Sequence, residues 1–302
     1  MDRRDVLLGG LTMAAGVAFS SGAGAASAPL ITRQIPSSGE ALPVIGLGTS
    51  GPFEVGNSPR ERTPLKDVLE TFFAAGAKLI DTSPMYSTAE GVLGELLTGS
   101  MQQRVFLATK VWTRGDREGM EQMKHSAEVL KRPKLDLIQV HNLLDLDTHL
   151  KTLRAWKDEG QVRYIGITHY TVGSHSDLMR IIQREKLDFV QLNYSAATRN
   201  AEERLLPLAM ERGVAVLVNR PFEDGKMFEQ VEGRPLPPWA ADVGCTSWGQ
   251  LFLKYVIANP AVTCVIPATG KVKHLQDNLA AGRGRLPDAK LRALIVQEVE
   301  GS

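Results

Sequence analysis

Four residues of the right types for proton chemistry sit where short apolar runs end. Lys78-Leu79-Ile80 runs into Asp81, and Tyr86 follows on the turn beyond Pro84. Val105-Phe106-Leu107-Ala108-Thr109 runs into Lys110, and Leu137-Ile138-Gln139-Val140 into His141. Short apolar runs bounded by turn formers such as Gly76 and Pro84 read as buried parallel strands. A phenol is a poor acid–base at neutral pH, with a reference pKa of about 10. A neighbouring ammonium stabilises its ionised form. A buried ammonium in turn needs a counter-charge, and a neutral imidazole can donate a hydrogen bond to a carbonyl oxygen. Lys110, Asp81 and His141 can fill those three roles around Tyr86. The same residues have ordinary uses as a strand cap, a core histidine and a loop tyrosine. They also leave a second chemistry open, in which Lys110 is the nucleophile of a Schiff-base aldolase-type barrel.

The elements that must hold these residues follow one rhythm. Residues 31–44 read as a hairpin turning at Ser37-Ser38-Gly39-Glu40, and 44–49 as a strand with a glycine-rich end. Helical spacing then covers 65–75, 89–97, 118–130, 148–159, 176–185, 202–212, 247–258, 271–281 and 288–298. Between these lie strand patterns at 78–81, 105–110, 135–141, 162–168, 187–193, 214–219 and 262–266. Gly160 and Gly213 sit where helices should stop, and Ser247 where one should start. Residues 221–246 are proline-rich and irregular. The alternation and the length predict a single (β/α)8 TIM barrel over 29–302, α/β in class, with an N-terminal β-hairpin. In such a barrel the strands' C-terminal ends carry the chemistry. A doubly wound open sheet fits less well, because no strand is followed by G-x-G-x-x-G and Gly46-x-Gly48 alone is weak.

Composition narrows the function. Lys plus Arg number 35 against 34 Asp plus Glu, so no net field favours nucleic acid. The two cysteines, Cys245 and Cys264, lack metal spacing, and no metal is expected; the sequence leaves open whether they pair. The N-terminus differs in kind. Arg3-Arg4 precedes an uncharged apolar run, Val6 to Phe19, and Ala23-Gly24-Ala25 offers a small-x-small cleavage site. Residues 1–28 therefore read as a signal peptide of the twin-arginine type, with the mature chain starting near Ala26. The run is too short to span a bilayer. The expected location is periplasmic or otherwise exported, with the export machinery as partner of the leader and no membrane span in the mature chain.

Several segments resemble the aldo-keto reductase family. They are Gly46-Leu47-Gly48-Thr49, Ile80-Asp81-Thr82-Ser83-Pro84-Met85-Tyr86, Gly91-Val92-Leu93-Gly94-Glu95, Thr109-Lys110-Val111-Trp112 and Asp136-Leu137-Ile138-Gln139-Val140-His141. Gly166-Ile167-Thr168, Gln191-Leu192-Asn193-Tyr194 and Ile266-Pro267-Ala268-Thr269-Gly270 continue the match in order over roughly 31–282. The resemblance implies a barrel enzyme that reduces an aldehyde or ketone with NADPH, with Tyr86 as general acid and Asp81, Lys110 and His141 completing a tetrad. A non-catalytic NADP-binding or redox-sensing barrel is the other use of such a scaffold. Position by position, the resemblance places Thr168, His169 and Gln191 at the nicotinamide carboxamide and counts Gly48 and Thr49 among the cofactor-binding residues. His169 stands where the family has Asn, and Asn219 where it often has a stacking aromatic ring. Arg220, Pro221 and Phe222 follow, with Arg220 offering a fork for phosphate oxygens. Thr269, Lys271, His274, Asp277 and Asn278 fall where the family holds the adenosine end, and Lys271 with Lys273 favours NADP over NAD. Phe53, Trp112 and Trp239 are candidate walls of a substrate pocket.

Overall fold

In the computed structural model, residues 28–301 are described. The leader assigned to 1–28 thus lies almost wholly outside the described residues. A hairpin of β1 (Thr32–Gln34) and β2 (Ala41–Pro43) comes first. Eight parallel strands follow: β3 (Leu47–Gly48), β4 (Leu79–Asp81), β5 (Phe106–Val111), β6 (Leu135–His141), β7 (Val162–Thr168), β8 (Phe189–Asn193), β9 (Ala215–Asn219) and β10 (Val262–Val265). They pair in sequence order, and parallel bridges Ile45–Val265 and Gly48–Ala268 join the last strand to the first. The sheet is a closed barrel with helices between its strands, as the alternation predicts.

Closure depends on two glycines. A Cβ at Gly46 would lie 2.8 Å from the Leu79 carbonyl oxygen, and one at Gly48 would lie 2.8 Å from that of Ile266. Only hydrogen fits there, so Gly46-x-Gly48 serves strand-to-strand approach rather than a phosphate turn. Two apolar layers flank the strands. The inner one contains Leu79, Phe106, Leu137, Tyr164, Phe189 and Leu217, and the hairpin adds Ile35 and Leu42 to it. The hairpin thereby plugs the end of the barrel where the strands begin. The outer layer packs the strands against the helices.

The helices are α1 (Pro59–Ala74), α2 (Ala89–Leu96), α3 (Ser100–Arg104), α4 (Asp116–Val129), α5 (Leu146–Asp158), α6 (His175–Arg184), α7 (Leu205–Glu211), α8 (Lys226–Gln230), α9 (Trp248–Ile257), α10 (Val272–Ala281) and α11 (Ala289–Glu300). Helix α1 starts six residues before the predicted Leu65. Its first turns are polar and largely exposed, so they carry no apolar period, and Pro59 occupies the first position, where a missing N–H costs nothing. The short α3 was not expected, and the irregular stretch 221–246 holds α8 and 3-10 turns. Phe53 is fully buried in the core, while Trp239 packs half-buried against the outer layer. Both cysteines are buried free thiols; burial holds Cys245 up to about 11 and pushes Cys264 up as well.

Candidate active site

The strand ends bring the four predicted residues together. Asp81 ends β4, Lys110 lies near the end of β5, and His141 ends β6. Lys110 is fully buried, and its ammonium donates to Asp81 Oδ2 at 2.6 Å and to the Thr82 carbonyl at 2.7 Å. The ammonium also lies 4.8 Å from the centre of the Tyr86 ring. Tyr86 and His141 meet edge-to-face, with ring centres 6.3 Å apart. Asp81 is held from a second side. Its Oδ1 accepts from Gln139 Nε2 at 3.2 Å and from Gln191 Nε2 at 2.8 Å. A buried carboxylate with one ammonium and two amide donors satisfies most of its acceptor capacity.

The charge states follow from these contacts. Burial would lower the Lys110 ammonium, but Asp81 and Tyr86 outweigh it and hold the group above its ordinary value. Burial raises the Tyr86 phenol, with Lys110 opposing and Asp81 adding to the rise. The sequence predicts a lowering by Lys110; here desolvation wins, and the Tyr86 phenol is held in its neutral form. Burial first, then Lys110 and His169, lowers His141 to about 3, so its imidazole is neutral. Ser83, fully buried, places its Oγ 3.3 Å from His141 Nδ1.

A cavity of about 650 Å³ opens onto this cluster. Its wall includes Gly48, Thr49, Thr168, Gln191, Arg220, Pro221 and Phe222 of the predicted cofactor residues, together with Tyr86 and His141. Thr49 Oγ1 donates to the Asp81 carbonyl at 3.0 Å, and Thr168 Oγ1 to Gln191 Oε1 at 3.1 Å. His169 stands apart from the wall: it stacks on Tyr170, and its Nδ1 accepts the Tyr170 backbone N–H at 3.0 Å. Arg220 does not present a free fork. Its Nη2 lies 2.6 Å and its Nε 3.1 Å from the two Asp224 oxygens, a salt bridge at the cavity rim. Arg220, Glu223 and Asp224 all have positive φ, so this turn stores strain at the cavity mouth.

Thr269, Lys271, His274, Asp277 and Asn278 lie outside the wall of that cavity. Asp277 already accepts Ser247 Oγ and Gln250 Nε2, each at 2.7 Å, which ties α10 to the start of α9. Thr269 Oγ1 accepts the Lys271 N–H at 3.2 Å. Lys271, Lys273 and His274 are exposed, and no side chain caps α10, so its first N–H groups are open to an anion.

The profile of the Aldo/keto reductase family matches residues 44–295. The chain belongs to that family. As an aldo/keto reductase it is an oxidoreductase acting on carbonyl groups. Methylglyoxal reductase YeaE of Escherichia coli K12 is 26% identical over 270 residues, covering 87% of this chain and 93% of that protein. An aldo-keto reductase from Klebsiella pneumoniae, solved with NADPH, superimposes with a TM-score of 0.74 at 23% identity, covering 88% of this chain and 94% of that one. The holo form of the reductase AKR11C1 from Bacillus halodurans gives 0.72 at 23% identity, covering 89% and 96%.

Within this reductase site, reasoning from sequence missed three side chains. Gln139 and Asn219 join the network around Gln191; Asn219 Nδ2 donates to Gln191 Oε1 at 3.2 Å and to the His169 carbonyl at 3.3 Å. Glu90, on α2 just past Tyr86, is buried, accepts from Thr109 and from Ser126 at 2.9 Å, and is raised by burial. A carboxylate in the first turn of an amphipathic helix looks ordinary, and only its burial marks it out. The Schiff-base chemistry finds no support: a nucleophilic lysine must lose its proton, whereas Asp81 keeps Lys110 charged.

Proposed function

We propose that the protein reduces an aldehyde or ketone to an alcohol with NADPH, Tyr86 giving the proton. The observation that carries this reading is Lys110, fully buried, paired with Asp81 and set against the Tyr86 ring. Bound in the cavity, NADPH would supply the hydride for the carbonyl carbon. Tyr86 enters as a neutral phenol and protonates the carbonyl oxygen. The Lys110 ammonium stabilises the phenolate left behind, and Asp81 keeps that ammonium charged in the absence of water. Neutral His141 offers a ring nitrogen to the same oxygen without adding charge.

The wall of the cavity suits a nicotinamide. Asn219 Oδ1 and Asn142 Oδ1 belong to cavity residues, are buried and have no partner among the described residues. Unpaired buried acceptors are costly, and a carboxamide NH₂ group would satisfy one. Asn219 thus takes over a polar grip where the family often stacks a ring, and His169 is turned away. The open start of α10 with Lys271 and Lys273 suits a phosphate. That the Klebsiella pneumoniae structure holds NADPH supports the same cofactor.

Tyr86→Phe should abolish nearly all reduction of methylglyoxal or another active carbonyl while leaving NADPH affinity, read by fluorescence quenching, almost unchanged. Positioned acid catalysis is worth about 10²–10⁴-fold, so retention of more than about a tenth of the rate would exclude Tyr86 as the acid.

The leader reading adds a location. We infer that Arg3-Arg4 directs the folded, nucleotide-loaded chain out of the cytoplasm, since that route is understood to carry folded proteins and the cofactor is made inside. Replacing both arginines by lysine should leave a loaded precursor in the cytoplasm; continued export of that variant would remove the assignment.

A further inference from the structure

We propose that the buried Ser83 hydroxyl fixes His141 as the tautomer with its proton on Nε2, which makes Ser83 a positioning residue for the reaction proposed above. The argument is an inventory of one hydroxyl. Ser83 has no exposed surface. Its Oγ accepts the Met85 backbone N–H at 3.1 Å and lies 3.3 Å from His141 Nδ1. A serine hydroxyl has one proton to donate and two lone pairs to accept with. Among the described residues, His141 Nδ1 is the one acceptor in reach of that proton. If the imidazole proton were on Nδ1, Oγ would accept two N–H bonds and its own buried proton would have nowhere to go. An unmade bond of that kind costs more than a made one gains. With the proton on Nε2, every group is satisfied: Met85 N–H to Oγ, Oγ–H to Nδ1, and Nε2–H left over.

The leftover donor is the useful one. Nε2 has no partner among the described residues, and His141 is part of the cavity wall beside Tyr86. A neutral imidazole with the proton on Nε2 can hydrogen-bond a carbonyl oxygen; the other tautomer would present a lone pair and repel it. Ser83 and Tyr86 also share one turn, since the Tyr86 N–H donates to the Ser83 carbonyl at 3.0 Å. One short segment therefore sets both the acid and the orientation of its companion. The hydroxyl serves twice, accepting the Met85 N–H within the turn and facing His141 Nδ1 across it.

The test reads protons rather than turnover. Protein labelled with ¹⁵N at histidine, free of nucleotide, gives long-range ¹H–¹⁵N spectra that separate the tautomers. The chain has six histidines, and His141→Asn identifies the signal. Wild type should show Nε2–H with Nδ1 as a hydrogen-bonded acceptor. Ser83→Thr should keep that pattern. Ser83→Ala should shift toward a mixture and lower kcat about fivefold, the worth of one hydrogen bond, with NADPH affinity unchanged. An Nδ1–H tautomer in wild type, or an unchanged spectrum in Ser83→Ala, overturns the proposal. The wild-type spectrum decides even if Ser83→Ala does not fold. Full activity in Tyr86→Phe would defeat the catalytic reading while leaving the tautomer result standing.

Discussion

Replacing Lys110 by Met should cost more in stability than its size suggests. The side chain is fully buried, and that of Asp81 is 3% exposed, with 2.6 Å between Nζ and Oδ2. Methionine fills most of the volume but leaves a carboxylate without its counter-charge and the Thr82 carbonyl without the Lys110 donor. Breaking a buried pair from one side costs about 3–5 kcal/mol. Gln139 and Gln191 still donate to Asp81 Oδ1, which favours the lower end, about 3 kcal/mol. Native domains hold only about 5–15 kcal/mol, so the loss should be plain in urea titrations followed by circular dichroism. Asp81→Asn in the Lys110→Met background removes the stranded charge while keeping the shape. The double variant should therefore recover part of the loss, giving a coupling of at least about 1 kcal/mol in a double-mutant cycle. If the double variant is as unstable as Lys110→Met, or the two losses simply add, the pair is not the interaction that holds this site.

Two further outcomes follow from the same geometry. His141 is lowered from 6.5 to about 3, so below pH 6.5 the unfolded chain takes up a proton that the folded site refuses, and stability falls as pH drops toward 3. His141→Asn should abolish that part of the acid limb, a gain of roughly 3 kcal/mol at pH 4 relative to the wild-type slope; parallel slopes for the two proteins would contradict a neutral buried imidazole. Asn219→Ala should weaken NADPH about tenfold, measured by fluorescence quenching, with His169→Ala closer to wild type; the reverse order would return the carboxamide to His169.

The barrel was legible because each strand is short, apolar and followed by an amphipathic helix, and because glycines mark helix ends. Boundaries were lost where that pattern fades, as in the polar first turns of α1 and the five residues of α3. The cluster was legible because Asp81, Lys110 and His141 lie at strand ends and Tyr86 on the turn just past one of them. Gln139 and Asn219 were not, because their roles depend on which amide faces which across the barrel, between residues 58 and 28 positions from their partners Asp81 and Gln191. The Arg220–Asp224 pair spans only four residues and could have been read from the turn itself. Ser83 sits inside a quoted motif, yet its task appears only once Nδ1 is beside it.

The plug at the bottom of the barrel has a consequence for traffic through the molecule. Ile35 and Leu42 stop one end, and the cavity opens at the other. Residue 28 departs from the stopped end, where the Ile31 N–H meets the Gly282 carbonyl just past α10. Ala28, the first described residue, therefore sits at the stopped end, away from the cavity mouth. A nucleotide entering the cavity would approach the pole opposite the one where Ala28 packs beside Arg283.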